Sequence, residues 1–323
     1  MERITYYPWE DRRDVFLTGY VLGASEQIQV GVRKPAVVIC PGGAYLRISD
    51  QEAEAVALRF AAYGYHAFVL TYSVGEACAM PAPLLELAKS ILYVRAHADA
   101  WLIDPRRVAV CGFSAGGHLC ATLSTQFPLA AQLLDADPEL VRPDAAILGY
   151  PVTDLTLPLP PLPLSALSGP VLDPAHPEEA VLPPFRGCVV REDGQWLIRL
   201  DRGMLRPLLG CDTPTEAQLR EYSPVFHVTA QTPPTYLWAT CTDEMVPPEN
   251  SLRYAAALLG CGVPAELHLF ARGPHGLSLA DRTCAGGPDY INPACQQWVP
   301  MALTWLDQIL AAGEGGACPE EFQ

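Results

Sequence analysis

The chain has 323 residues, half of them apolar and 18% charged, which excludes intrinsic disorder and suits one large folded unit or two small ones. Its 21 basic and 36 acidic residues leave a net charge of −15 at pH 7, a field that repels nucleic acid, anionic membranes and polyanionic substrates. No apolar run approaches the roughly 20 residues of a membrane span, and the first ten residues lack the apolar stretch of a secretion signal, so a soluble cytoplasmic protein is expected.

The first 35 residues carry short β-type runs such as Val15–Leu22. Ala36–Cys40 is then a continuous apolar run stopped by Pro41-Gly42-Gly43, the pattern of a strand buried on both faces. Gln51 to Tyr63 places Ala53, Val56, Ala57, Phe60 and Ala61 at helical spacing, with Gly64 as the stop. His66–Tyr72 reads as the next strand, Leu84–Ala98 as an amphipathic helix, Arg107–Gly112 as a third buried strand, Gly116–Thr125 as a helix and Ala145–Tyr150 as a fourth strand.

The alternation then stops, with nine prolines between Pro158 and Pro184. Proline lacks the N–H that ladders and helix interiors require, so this stretch must be loop or polyproline-like, its leucines laid against the body. Val189-Val190 and Trp196–Leu200 flank Asp193-Gly194, the signature of a hairpin. After Leu209 the alternation resumes: strand Thr235–Thr240, helix Pro248–Leu259, strand Ala265–Phe270 and a closing helix Trp298–Leu310. Repeated strand–helix units with buried strands imply a mostly parallel central sheet with helices on both faces. The expected architecture is one α/β domain over residues 1–323, interrupted by an insertion at about 155–210.

The eleven cysteines run from Cys40 to Cys318, are odd in number and contain no C-x-x-C pair. Several, including Cys40, Cys111 and Cys241, sit in apolar runs where a reduced thiol packs as a small hydrophobe. Neither a disulfide framework nor a zinc site is expected.

Gly112-Phe113-Ser114-Ala115-Gly116 matches G-x-S-x-G in the required setting, a buried strand directly before and a helix directly after. A sharp strand-to-helix reversal strains the serine backbone and crowds the positions two residues away, which is why glycine stands at both. Ser114 is thereby presented at the C-terminal edge of the sheet, and the Ala115 N–H, at the start of the helix, can donate to a developing oxyanion. Pro41-Gly42-Gly43-Ala44-Tyr45 follows the first buried strand, and its small residues let backbone N–H groups approach a carbonyl closely. Gly43 and Ala44 are the expected donors.

A hydroxyl is a weak nucleophile until a base removes its proton. Of seven histidines, His66 and His268 lie in strands, His118 in the helix after Ser114 and His176 in the proline-rich stretch. His275, in Arg272-Gly273-Pro274-His275-Gly276-Leu277, follows the last strand and emerges on the same side as Ser114. Asp243 follows the Thr235–Thr240 strand and stands 32 residues before His275, placed to orient the imidazole; Glu244 is its nearest rival and Asp154 a more distant one.

Four stretches, Val38–Tyr45, Asp104–Leu119, Thr232–Trp238 and Gly273–Leu277, resemble the α/β-hydrolase superfamily on its esterase side, nearest to bacterial carbohydrate esterases of the acetyl-xylan-esterase-like or feruloyl-esterase-like group. The resemblance implies the α/β-hydrolase fold, with Ser114 as nucleophile, Asp243 as acid and His275 as base, and no metal or organic cofactor. Two departures stand out: proline replaces the usual histidine before the glycines, and Ala44 replaces a third glycine. The implied reaction is hydrolysis of a small-molecule acyl ester, such as an acetylated carbohydrate, through an acyl-enzyme. A serine peptidase of the prolyl-oligopeptidase type and a non-catalytic binding module are the alternatives on the same fold. The insertion is expected either to roof the active site as a lid or to form a subunit contact in a homo-oligomer.

Overall fold

A computed structural model of the chain describes residues 1–24, 32–164, 176–211 and 213–312. Strands β1 (Glu2–Tyr6), β2 (Phe16–Val21), β3 (Lys34–Cys40) and β4 (His66–Thr71) are followed by β5 (Ile103–Phe113) and β6 (Ala145–Gly149), with helices α1 (Glu54–Ala62), α2 (Ala82–Ala96) and the single turn α3 (Ala98–Trp101) between them. Helix α4 (Ala115–Leu134) and the short α5 (Pro138–Val141) separate β5 from β6. The insertion holds the two-residue β7 (Leu162–Pro163), the hairpin β8 (Val189–Glu192) and β9 (Gln195–Ile198), and α6 (Leu200–Leu209). Then come α7 (Glu216–Glu221), β10 (Thr235–Thr240), α8 (Glu249–Gly260), β11 (Ala265–Phe270) and α9 (Trp298–Ala312).

Eight strands form one sheet in the order β1-β2-β4-β3-β5-β6-β10-β11. Pairing is antiparallel from β1 to β2 and from β2 to β4, and parallel from β4 onward to β11. Side chains alternate between the faces. Val38, Cys40, Val110 and Leu148 point into a core shared with α2, α4 and α8, while Val37, Ile39, Cys111 and Ile147 point into a second core shared with α1 and α9. With both faces covered, the strands read as unbroken apolar runs. Because β3, β5, β6, β10 and β11 run parallel, the loops that follow all five open on one edge of the sheet.

Three elements differ from expectation. The helix read from Gln51 is broken: a 3₁₀ turn, Asp50–Glu52, precedes α1, and Ala53 (φ −104°, ψ −106°) separates them. The helix after Ser114 extends to Leu134 and kinks at Gln126, two residues before Pro128, whose ring cannot continue the ladder. Cys241 is exposed rather than packed; the described cysteines are all unpaired thiols, and most are buried. The Asp193-Gly194 hairpin forms as read, with both residues at positive φ (47° and 80°), as a tight two-residue turn demands.

The insertion, as far as it is described, is not a separate lobe. Leu162, Leu164, Cys188, Ile198 and Leu208 are buried in the same cluster as α2 and α4. Residues 165–175, which carry Pro170 and Pro174 of the proline-rich stretch, lie outside the described residues.

The reversal from β5 into α4 depends on two glycines. A Cβ on Gly112 would overlap the Gly116 carbonyl, and a Cβ on Gly116 would overlap the carbonyl oxygens of Cys40 and Pro41 at the end of β3. The second clash is with a neighbouring strand, so the turn is packed into the sheet itself. Gly116→Ala is therefore expected to destabilise the protein by more than about 4 kcal/mol or prevent folding. Gly64→Ala, at φ +92° in open space, should lose only about 1–2 kcal/mol, the cost of a left-handed alanine. Urea unfolding of the two variants checks this, and equal losses would contradict it.

Candidate active site

Ser114 sits between β5 and α4 at φ 52°, ψ −118°, a conformation that L residues avoid and that persists only where the surroundings impose it. They do so through the Ser114 N–H, which donates to the Gly149 carbonyl at 3.0 Å, and the Ser114 carbonyl, which receives the His118 N–H at 2.9 Å. The side chain is left pointing past the edge of the sheet.

Across that edge, His275 Nε2 lies 2.9 Å from Ser114 Oγ, and His275 Nδ1 lies 2.7 Å from Asp243 Oδ2. A carboxylate only accepts, so Nδ1 carries the proton and Nε2 is free to accept from the serine hydroxyl. Asp243 is fixed in turn: its Oδ1 accepts the N–H groups of Met245 and Val246, both at 2.9 Å. Its side chain is 1% exposed and that of His275 10%. Burial disfavours the charged imidazolium, but the Asp243 carboxylate, helped by Glu52 and Glu244, outweighs it and raises the His275 pKa above its ordinary value.

The two loops that carry Asp243 and His275 are clasped together. Thr240 Oγ1 and Thr242 Oγ1 donate to the Gly273 carbonyl at 2.7 and 3.1 Å, and the Gly273 N–H donates to Thr242 Oγ1 at 2.9 Å. Beneath His275 the Tyr150 ring meets the imidazole edge-on at 4.9 Å and packs on Trp238 at the same distance.

Four of the other histidines bond elsewhere. His118 Nε2 donates to the Tyr222 carbonyl at 2.7 Å and its Nδ1 accepts the Tyr45 hydroxyl at 2.8 Å; burial drives its pKa down to about 4, so it stays neutral. His66, likewise pushed by burial to about 4, accepts the Leu22 N–H. His268 pairs with Glu266 on its own strand, and His176 with Glu178. Neither rival acid reaches an imidazole in this way: Glu244 is exposed, and Asp154, 1% exposed, binds Arg253 and Thr156.

The loop after β3 turns through Gly43, Ala44 and Tyr45 at positive φ (125°, 57° and 57°). Two of its carbonyls are occupied within the loop: Gly43 accepts from Leu46 and Arg47, and Gly42 from Ser49. The Gly42 N–H is also committed, to Glu52 Oε2 at 2.7 Å. Among the described residues the Gly43 and Ala44 N–H groups have no such partner, and Ala115 opens α4 with an N–H that no preceding turn can receive.

These groups line a cavity of about 200 Å³. Gly43, Ala44, Ser114, Ala115 and His275 belong to its lining. Apolar lining comes from Leu159, Leu182, Phe185, Leu200 and Met204 of the insertion and from Val152, Met245 and Val246. Arg47, Ser49, Gln51 and Glu52 add polar groups. Ser114, Asp243 and His275, read from separate stretches of sequence, are thus brought together. Glu52, Tyr150 and the threonine clasp were not anticipated. Glu52 reads as an ordinary acid in the first turn of a helix, and only the break at Ala53 carries it under the sheet edge.

Comparison with known proteins agrees with this architecture. A BD-FAE family model matches residues 27–157, and the prolyl oligopeptidase family model matches residues 208–284. The endo-1,4-beta-xylanase B of Butyrivibrio fibrisolvens is 29% identical over 257 residues, which is 77% of this chain and 33% of that protein. The chain thus spans about a third of the length of that curated relative. Among solved structures, the carboxylesterase Cest-2923 of Lactobacillus plantarum WCFS1 is 28% identical, covers 95% of this chain and 98% of its own, and superposes with a TM-score of 0.71. The acetyl ester-xyloside bifunctional hydrolase of Caldicellulosiruptor lactoaceticus is 30% identical over 95% of this chain and 96% of its own, with a TM-score of 0.68. A parallel sheet with helices on both faces, a serine on a strained strand-to-helix turn, and near-complete overlap with esterases of known structure lead to one conclusion: the chain belongs to the α/β-hydrolase superfamily, among its acetylxylan-esterase-like esterases.

Proposed function

We propose that the chain is a serine carboxylic-ester hydrolase in which Ser114 is the nucleophile, His275 the general base and Asp243 the acid that orients it. The observation that carries this reading is the unbroken run of short contacts from Ser114 Oγ through His275 to Asp243. His275 Nε2 takes the hydroxyl proton as Ser114 Oγ bonds to the ester carbon. Asp243 stabilises the imidazolium so formed. The carbonyl oxygen becomes an oxyanion received by the N–H groups of Gly43, Ala44 and Ala115, and loss of one such donor typically costs about 2.7–4 kcal/mol of barrier. His275 then gives its proton to the departing alkoxide, leaving an acyl group on Ser114. Water, deprotonated by His275 in a second round, releases the acid and restores the serine.

The substrate class we propose is a short acyl ester, acetyl above all, on a carbohydrate alcohol. The small cavity and its apolar wall suit a short acyl group, while Arg47, Ser49 and Gln51 offer donors and acceptors to a hydroxylated leaving group. The likeness to the acetyl ester-xyloside bifunctional hydrolase of C. lactoaceticus supports the same reading. In this reading the insertion supplies the roof of the acyl side, and the whole chain acts as one domain. The prolyl oligopeptidase match over the stretch carrying Asp243 and His275 keeps amide cleavage as the competing activity.

Three outcomes are expected. Ser114→Ala should abolish turnover of acetylated sugars and aryl acetates while unfolding at the wild-type urea midpoint; wild-type hydrolysis by this variant, or faster cleavage of peptide amides than of esters by the intact enzyme, would overturn the assignment. The pH dependence follows from the raised His275 pKa: the neutral base dominates only above it, so kcat/KM should climb through a midpoint above the ordinary 6.5 and fall away below it. A profile level down to pH 5 would exclude His275 as the base. Phe185→Ala should widen the acyl wall and shift the preferred chain from acetyl toward butyryl by about tenfold in relative kcat/KM, the worth of one or two methylenes. An unchanged chain-length profile would place the acyl group elsewhere.

A further inference from the structure

We propose that Glu52 is a positioning residue of this reaction: its buried carboxylate ties the oxyanion loop to the loop that carries His275. The inference rests on the ester-hydrolase reading above and assigns a role to a residue outside the triad and the oxyanion donors.

Glu52 is 3% exposed and both of its oxygens are engaged. Oε2 accepts the Gly42 N–H at 2.7 Å, and Oε1 accepts the Tyr150 hydroxyl proton at 2.6 Å. The Tyr150 oxygen accepts the N–H of Ser278, three residues beyond His275, at 2.9 Å, and Ser278 Oγ donates to the Gln51 carbonyl at 2.7 Å. One carboxylate therefore joins the loops that leave β3, β6 and β11. Gly42 is the hinge of this arrangement, since a Cβ there would stand 2.8 Å from Glu52 Oε2 and 3.0 Å from Ser114 Cβ. The Gly42 peptide passes between carboxylate and nucleophile, and fixing its N–H away from the substrate sets the direction of the next two, those of Gly43 and Ala44.

A buried carboxylate is costly unless it is hydrogen-bonded, and an apolar residue of similar volume would fill the space more cheaply. What Glu52 adds is charge beside the base. The groups facing His275 are Asp243 and the exposed Glu244 from the loop after β10, Glu52 from the turn before α1, and the Tyr150 ring from the end of β6. The titratable groups around Glu52 besides His275 are Tyr150, Tyr72 and Cys111, each held protonated by burial. Glu52 thus adds, behind Asp243, to the negative potential in which the proton from Ser114 is received.

The test combines steady-state kinetics with an NMR titration of the His275 ring in a Ser114→Ala background, which needs no turnover. With an aryl acetate as substrate, Glu52→Gln should lower kcat about tenfold or more with little change in KM, and should shift both the acid limb of kcat/KM and the His275 titration to lower pH. Glu52→Asp keeps the charge but is too short for both partners, so kcat should fall while the His275 titration stays nearer that of the parent. Wild-type kcat together with an unmoved His275 titration in Glu52→Gln would overturn the proposal. Should that variant fail to fold, Tyr150→Phe keeps the carboxylate and removes only the bridging hydroxyl; a several-fold loss of kcat at constant KM is expected, and wild-type kcat would overturn the proposal equally. Failure of the underlying esterase reading would be seen in the wild type itself, as absence of ester turnover, whereas failure of this proposal is seen only on changing Glu52 or Tyr150 in an active enzyme.

Discussion

The molecule is organised around one strained peptide turn. Ser114 holds a backbone conformation that a free chain would leave at once, and it does so because α4 is pressed against the end of β3 so closely that Gly116 has no room for a methyl group. Everything that makes the serine hydroxyl accessible follows from that contact. The parallel register from β4 to β11 puts the start of α4, the loop after β3 and the two loops bearing Asp243 and His275 on one edge, so residues up to 227 positions apart in sequence meet within hydrogen-bonding distance. The stability to hold such a turn comes from two apolar layers, one on each face of the sheet.

The histidines show how one side chain is made into different instruments by its surroundings. His118 is wholly enclosed and meets only a tyrosine hydroxyl and a carbonyl, so desolvation wins and the ring is locked neutral. His275 is almost as enclosed, yet it faces three carboxylates from two elements, and their attraction exceeds the cost of burial. Burial alone therefore does not determine the behaviour of an imidazole. What decides is whether charge of the opposite sign is buried with it, and Asp243 and Glu52, both held by backbone N–H groups, are that charge.

The sequence was most legible where a rule is local. Buried strands showed as apolar runs, the serine turn as two glycines in a fixed frame, and the hairpin at Asp193-Gly194 as a dipeptide that tolerates positive φ. Among the histidines, His275 stood out as the one that follows the last strand on the side of Ser114. What stayed hidden depends on tertiary placement. Glu52 lies in a stretch with good helical periodicity, and nothing in its neighbours says that the helix breaks at Ala53. Tyr150 reads as the last apolar residue of a strand, although its hydroxyl bridges two loops. Cys241 lies next to a buried strand, yet the chain has already turned outward there. The amphipathic α6 was masked by the prolines around it, including Pro207 within the helix.

The footing of the insertion has a consequence for how pocket shape can diverge in this lineage. Leucines and a cysteine of the segment are sunk into the same apolar layer that supports α2 and α4, while its neighbouring side chains wall the cavity. Removing the segment would take apolar side chains out of that layer as well as out of the cavity wall. Change must come one wall residue at a time, at positions such as Leu159, Phe185 or Met204, each tolerated only while the shared layer stays filled. Cavity shape and folding thus draw on the same atoms, and drift toward a larger cavity is slowed by the loss of packing that accompanies each enlargement.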